Sequence, residues 1–348
     1  MSILIAMSGG VDSSVSAFLC AEGYESCVGA TMLLADDGGK NIHDAKSVCE
    51  SLNIGHEVID MREIFREKVI RRFVNVYESG GTPNPCIECN RSIKFWEFLT
   101  HAQESGHERI ATGHYARIER DNSGRYLLRK AVDISRDQSY VLYMLSQEIL
   151  RCVDFPLGGM LKSEVRNLAG TLGFVNAKRN DSQDICFVPE GDYGKFIASF
   201  TGKIYPPGNF VDACGNILGH HKGIIHYTAG QRRGLGVAGK SRLYVANINT
   251  LTNDITLLPE TDSGLYARGV IARGVNLIAY ERLPGNFRAC VKTRYRQKEI
   301  PCVVNQARDD EIVIEFSERV KSPAVGQAAV IYDGEYVIGG GTIESVMI

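Results

Sequence analysis

The chain has little excess charge of either sign. Its 39 Lys and Arg stand against 41 Asp and Glu, a formal net charge of -2. Bulk charge therefore does not draw it to nucleic acid, and a polyanionic partner would have to be held by local basic patches. No apolar run reaches the length needed to span a bilayer, so a membrane helix is not expected. The opening MSILIAMSGG has no basic n-region and no small-residue cleavage site, so it is read as a buried strand rather than a signal or transit peptide. Internal repeats and low-complexity tracts are also missing. Ten cysteines are scattered through the chain, at 20, 27, 49, 86, 89, 152, 186, 214, 290 and 302. That scatter argues against a secreted disulfide framework and for reduced thiols in a cytoplasmic protein, most of them small core residues. At 348 residues, with 44% hydrophobic and 23% charged, the chain is globular and too long for one core; two or three domains are expected.

Two basic patches stand against this neutral background. Arg288, Lys292, Arg294, Arg296 and Lys298 lie in a stretch with no acid, and Arg232 and Arg233 have Lys222, Lys240 and Arg242 nearby. Any one of these charges alone reads as a solvated face.

Strand and helix signals alternate at the start. Strands are expected at Ile3 to Met7, Ser26 to Leu33, His56 to Met61 and Arg109 to Tyr115. Helices are expected from about Asp12 to Ala21, His43 to Leu52, Arg62 to Tyr77, Arg91 to Glu104 and Lys162 to Leu172. This predicts an α/β parallel sheet, whose ligands bind at the carboxyl ends of the strands. Beyond residue 190 the signals change to short strands rich in Gly and Pro, and residues 266–348 alternate apolar and polar positions as in a small β-barrel.

The most informative motif is Ser8-Gly9-Gly10-Val11-Asp12-Ser13-Ser14, placed between the first strand and the first helix. Two glycines allow close backbone approach, and helix-start amides with serine hydroxyls can cradle phosphate oxygens. No Gly-Lys-Ser/Thr follows, so it is neither a P-loop nor a dinucleotide fingerprint. A tight capped turn is the plainer alternative. The loop resembles the SGGxDS pyrophosphate loop of the PP-loop ATPases, which cleave ATP to AMP and pyrophosphate. That resemblance gives Asp12 the holding of Mg²⁺ or the orienting of phosphates. Gly113, in Ala111-Thr112-Gly113-His114-Tyr115, would let an adenine or ribose come close. Met32 ends the second strand, where either adenine contact or plain core packing would suit it.

Thr82-Pro83-Asn84-Pro85-Cys86-Ile87-Glu88-Cys89-Asn90 is the second motif. With a helix starting near Arg91, Cys89 would stand at its N-terminus and be stabilised as a thiolate. A zinc site would need a second CxxC, which is missing. A thioredoxin-type pair and an iron–sulfur cluster on Cys86, Cys89 and Cys186 remain open as alternatives. Asp181-Ser182-Gln183-Asp184-Ile185-Cys186-Phe187 is the third motif and by itself suggests only a buried cysteine.

Taken in order, the segments at 8–14, 82–90, 111–115, 137–142, 181–187, 230–236 and 292–297 resemble the tRNA 2-thiouridylases. The resemblance runs from residue 3 to about 341. It implies a PP-loop domain over 1–196, a small central tRNA-contacting domain over 197–265 and a C-terminal β-barrel over 266–348. It implies Cys89 as nucleophile, Cys186 as persulfide carrier, and ATP held by Ala6, Met7, Ser8, Gly9, Gly10, Val11, Asp12, Ser13, Met32 and Gly113. Asn84, Pro85 and Cys86 would face the target base. His114, Arg136, Asp137, Gln138, Arg294, Tyr295 and Gln327 would touch tRNA. Implied partners are the Lys, Glu and Gln tRNAs, modified at the wobble uridine (position 34), and a protein that delivers persulfide sulfur. Two departures stand out. Cys86 replaces an Asp that some members carry, and the segment after Met32 is short and acidic (Asp36, Asp37), without the Asn-Trp that often follows that methionine. A different PP-loop adenylating enzyme would need no paired cysteines, and a non-enzymatic RNA-binding module would need no ATP loop.

Overall fold

The structure is a computed structural model describing residues 1–35, 39–179, 185–188, 191–237 and 241–348. Asp36, Asp37, the Asp181–Asp184 half of the third motif and Lys240 lie outside the described residues.

Five parallel strands form the first sheet: β1 (Ser2–Ala6), β2 (Ser26–Leu33), β3 (Gly55–Asp60), β4 (Arg109–Ala111) and β7 (Val153–Asp154), in the order β3-β2-β1-β4-β7. Side-chain alternation along β1 serves two cores. Ile3 and Ile5 face α1 (Val11–Gly23) and α2 (Lys40–Ser51), while Leu4 faces Phe65, Ile93, Phe95 and Phe98. The chain order reverses between β1 and β4. A doubly wound sheet opens its ligand crevice at such a switch point.

Two long helices flank the second core. One runs as α3 (Arg62–Phe65), a π-helical stretch Arg66–Ile70 and α4 (Arg71–Glu78); the other as α5 (Pro85–Glu88), a π-helical stretch Cys89–Glu97 and α6 (Phe98–Glu104). The second was expected to start near Arg91. It starts at Pro85 instead, where proline fits the first helical position because its missing N–H has no acceptor there anyway. The strand expected over 109–115 stops at Ala111, and residues 112–115 follow as irregular backbone.

The hairpin β5 (Ala116–Arg120) and β6 (Tyr126–Lys130) carries no distinct sequence signal. It leaves the first sheet and joins the C-terminal one. There β12 (Tyr266–Leu277), β13 (Phe287–Lys292), β14 (Ile300–Arg308), β15 (Glu311–Lys321), β16 (Ala328–Asp333) and β17 (Tyr336–Met347) close into a barrel by β12–β17 pairing, and β6 pairs with the start of β17. Between the two lie α9 (Tyr193–Thr201) and a four-stranded sheet, β10-β11-β8-β9, built from β8 (Gly208–Val211), β9 (Ile217–His221), β10 (Leu243–Asn249) and β11 (Asp254–Pro259). Among the described residues no helix is long and apolar enough to cross a membrane.

Candidate active site

The glycine loop leaves β1 at the switch point. Gly9 has φ +68, and a Cβ there would lie 2.6 Å from the Asn41 carbonyl oxygen, so both conformation and space require glycine. The Gly9 carbonyl accepts from Asn176 Nδ2 at 2.9 Å and Arg179 Nη1 at 3.1 Å. Arg179 also reaches Asn41 Oδ1 at 2.6 Å. Ser13 Oγ accepts from the Ser8 amide at 3.2 Å and donates to the Gly10 carbonyl at 3.0 Å. Ser8, Gly10 and Asp12 have accessible surface, whereas Met7 and Val11 are core residues. Met32 is half-buried against the second core.

Asp12 is the centre of a partly buried charge arrangement. Lys162, the first residue of α8 (Lys162–Thr171), places its ammonium 2.6 and 2.7 Å from the two carboxylate oxygens. Tyr115 donates its hydroxyl to Asp12 Oδ1 at 2.8 Å. The Tyr115 backbone is in turn held by Gln138, amide to carbonyl and amide to side-chain oxygen, each at 2.9 Å. Gly113 was expected to admit adenine or ribose. What comes closest to it is the loop itself, since a Cβ there would lie 3.0 Å from Asp12 C and Ser13 N.

The thiols lie on the second long helix and opposite it. Cys89 is buried and past the first turn, and its backbone N–H already bonds the Cys86 and Pro85 carbonyls. It is not the helix-terminal thiolate expected from the sequence. Burial pushes its thiol up to about 12, against a smaller pull downward from Lys94, with Cys186 and Cys86 adding to the rise. Cys86 occupies the first turn and is exposed. Cys186 has exposed surface, but desolvation still raises its thiol, again with Lys94 opposing and Cys86 reinforcing. The three thiols and Lys94 therefore share one neighbourhood. Phe187 anchors the Cys186 segment, edge-on to Phe65 at 5.6 Å and Phe73 at 5.3 Å. Among the described residues no group of three or more His, Cys, Asp or Glu is arranged to hold a metal ion, and the iron–sulfur alternative gains no geometric support.

The barrel holds the proline loop from the other side. Thr82 donates its amide to the Val325 carbonyl at 2.8 Å, and Gln327 Nε2 donates to the Thr82 and Pro83 carbonyls at 2.8 and 3.1 Å. A cavity of about 60 Å³ lies behind the loop, lined by Arg72, Asn84, Pro85, Glu88, Arg91 and Tyr143 among others. It has room for a few waters.

The expected tRNA contacts divide. Arg136 is exposed and Tyr295 is 37% exposed. The Tyr295 hydroxyl donates to the Asp137 carbonyl at 3.0 Å, and its phenol is raised by burial, with Asp137 and then Cys86 adding, so it borders the thiol neighbourhood. Asp137 folds its carboxylate onto the Ala131 amide at 3.0 Å and the Ser139 hydroxyl at 2.7 Å. His114, expected on the RNA face, is buried between Phe95 and Phe155 with its Nδ1 2.7 Å from Thr112 Oγ1, and burial drives its pKa far down. Arg294 is half-buried, donates to the Ser322 carbonyl and packs on Gly230. Arg288, Arg296 and Lys298 stay exposed, as do Lys222, Arg232, Arg233 and Arg242.

Family models match each part of the chain. They are described as the tRNA methyl transferase HUP domain over residues 1–190, the tRNA methyl transferase PRC-barrel domain over 194–258 and the aminomethyltransferase β-barrel domain over 267–343. The tRNA-specific 2-thiouridylase MnmA of Geotalea uraniireducens is 45% identical over 98% of this chain and 94% of its own length. That of Clostridioides difficile is 42% identical over 98% of each. A solved 4-thiouridine synthetase–RNA complex with bound ATP is 14% identical, covers 58% of this chain and 50% of that one, and has a TM-score of 0.36.

Proposed function

The chain belongs to the tRNA-specific 2-thiouridylase family, and from that premise we propose that it activates a tRNA uridine with ATP and exchanges its C2 oxygen for sulfur. The observations that support this reading are a phosphate-type loop at the end of the first strand with Asp12 paired to Lys162, and three thiols that influence one another together with Lys94.

In this reading the uridine O2 attacks the α-phosphorus, and pyrophosphate leaves from the 8–14 loop, where helix-start amides and hydroxyls face its charge. The AMP moiety turns a poor leaving group into a good one. Asp12 suits Mg²⁺ arriving with ATP, because its carboxylate is one-third exposed and its oxygens accept more than one partner. That ion would neutralise phosphate charge. A persulfide on Cys186 supplies the sulfur. Its terminal atom attacks C2, AMP departs, and Cys89 attacks the Cys186 sulfur, breaking the S–S bond and leaving the transferred sulfur on C2; alternatively Cys89 attacks Cys186 first, sulfide is released in the site, and sulfide attacks C2 as AMP departs. Both routes end in a Cys89–Cys186 disulfide that an external reductant must reopen. The Cys89 thiol, held protonated by burial, enters as the neutral partner until tRNA or the persulfide changes its surroundings.

The substrates in this reading are the Lys, Glu and Gln tRNAs at the wobble uridine, position 34, and the sulfur comes from a persulfide-carrying relay protein. A reducing cytoplasm suits the ten unpaired cysteines. In this reading the exposed Arg136, Tyr295, Arg296, Lys298, Arg232 and Arg233 meet tRNA phosphates.

The test is thiolation of unmodified tRNA by purified protein with Mg-ATP and a persulfide donor, read as 2-thiouridine by mass spectrometry. ATP-dependent product that disappears in Cys89→Ala and Cys186→Ala supports the reading. ATP turnover with no thiolation of any tRNA sinks it and leaves a PP-loop adenylating enzyme. Activity that appears only in an anaerobic preparation carrying iron and acid-labile sulfide would move the chemistry to a cluster.

A further inference from the structure

The cavity behind the proline loop is lined by parts of the chain far apart in sequence. Arg72 borders it from α4, Asn84 and Glu88 from the start of the second long helix, and Arg91 from the π-helical stretch that follows; Tyr143 and, from β17, Thr342 complete it. Its volume of about 60 Å³ holds about four water-sized groups. The side chains of Arg72 and Arg91 are 53% and 35% exposed, so the mouth is open and a small solute can enter without the fold opening.

Most of the polar groups around this space are donors. Glu88 is the one carboxylate among the lining residues. It accepts the Ser92 hydroxyl and lies 3.3 Å from Arg72 Nη1 and 3.8 Å from Arg91 Nη1. Two guanidiniums against one carboxylate leave a positive charge unbalanced, and each guanidinium carries five N–H donors that this single partner cannot occupy. Tyr143 is fully buried, and among the described residues its hydroxyl forms no hydrogen bond of normal geometry, although Thr342 stands beside it. Burial raises the phenol, and Arg91, Thr342 and then Arg72 oppose the rise, so the hydroxyl shares its surroundings with both guanidiniums. A buried hydroxyl without a partner costs free energy that an accepting ligand returns. Water can satisfy the hydroxyl, but only an anion also meets the charge.

We infer that this cavity is a binding site for one small monovalent anion, gripped by Arg72, Arg91 and the Tyr143 hydroxyl. Chloride and hydrosulfide share the required charge and size, and either is taken up as an ion with no bond made or broken. Glu88 repels the bound anion, and solvent at the mouth screens the guanidiniums, so the binding is weak and reversible. Glu88 lies in the helix between Cys86 and Cys89. The anion therefore braces the helix that carries two of the thiols against α4 and Tyr143.

The test joins anomalous diffraction from crystals of the whole protein in sodium bromide to thermal melts in sodium bromide against sodium gluconate at equal ionic strength. Wild type should show a bromide peak between Arg72, Arg91 and the Tyr143 hydroxyl, and a melting temperature that rises saturably with bromide. Tyr143→Phe loses one neutral hydrogen bond and should bind about two- to tenfold more weakly; Arg72→Gln loses a charged one and should bind about ten- to a hundredfold more weakly. Glu88→Gln removes the like charge and should bind more tightly, a change of opposite sign that a general salt effect cannot give. A cavity that holds only water overturns the proposal. So does a bromide shift equal in all four proteins, which marks an adventitious ion only. Should Arg72→Gln fail to fold, Tyr143→Phe keeps the comparison. Sodium hydrosulfide that displaces the bromide peak under argon identifies hydrosulfide as an occupant, and a peak that persists assigns the site to a halide. None of these readouts depends on thiolation.

Discussion

Iodoacetamide should modify Cys89 slowly and with no plateau in its pH profile up to pH 10.5. Burial raises this thiol from an ordinary 9.0 to about 12. At pH 8 an ordinary thiol of that value is about one-tenth thiolate, whereas one at 12 is about one part in ten thousand, a deficit near a thousandfold. The rarer thiolate is the stronger nucleophile. With a Brønsted slope of about 0.4–0.5, that returns a factor of about 15 to 30. The net chemical slowing is about 30- to 60-fold at pH 8, and restricted access to a buried sulfur can only add to it. The exposed Cys214 serves as an internal reference. Peptide mass spectrometry of timed alkylations between pH 7 and 10.5 should give a log-rate for Cys89 that climbs with a slope near one. The two cysteines should converge in denaturant. A Cys89 rate equal to or above that of Cys214 at pH 8, or a plateau below pH 9, would refute the claim that burial keeps this sulfur protonated.

Other perturbations follow from the same geometry. Cys20, Cys49, Cys89 and Cys302 are all raised by burial, to about 12, 11, 12 and 12. The fold favours their neutral form, so their contribution is whole below pH 9 and is lost as pH climbs toward those values, by at most about 1.4 kcal/mol per thiol per pH unit. The melting temperature should therefore fall between pH 9 and 10.5, and a constant value would contradict this. Gly113→Ala puts a Cβ 3.0 Å from the loop backbone, and overpacking of about 1–3 kcal/mol should weaken ATP binding while the barrel stays folded; unchanged affinity by calorimetry would refute the contact. Gln327→Ala removes two hydrogen bonds to the proline loop, about 1–2 kcal/mol together, and should speed amide exchange at Thr82 and its neighbours. Exchange at the wild-type rate would show that the barrel does not restrain the loop.

The parallel sheet was legible because β1 and β2 are short apolar runs followed by glycine or helix signals, and the nucleotide loop because its Gly-Gly-x-Asp-Ser string sits between them. The helix start at Pro85 was misplaced by a local argument. Pro-Asn-Pro reads as a stiff approach, yet the second proline is itself the first helical residue, and that shift of nearly two turns takes Cys89 from the terminus into the core. Lys162, Asn176 and Arg179 gave no signal because each meets the loop from more than 130 residues away, and a lone Lys or Arg reads as solvated until the fold buries it. Lys94 was hidden the same way, an ordinary helix lysine until its neighbours prove to be thiols. His114 and Arg294 are less open than the sequence suggests. A polar residue in a motif suggests an exposed contact, but Phe95 and Phe155 cover the one and Ser322 and Gly230 hold the other.

The attachment of Gln327 and Val325 to Thr82 and Pro83, with β6 paired to β17, also sets an order of events during synthesis. A ribosome completes the nucleotide loop and the helix bearing Cys86 and Cys89 long before the strands that steady them exist. The nascent chain can gather its first sheet early, but the proline loop waits for Val325 and Gln327 to emerge. A chain that ends before Val325 and Gln327 therefore lacks the hydrogen bonds that hold Thr82 and Pro83, and with them the only hydrogen-bonded tie from the barrel that the described residues give the proline loop.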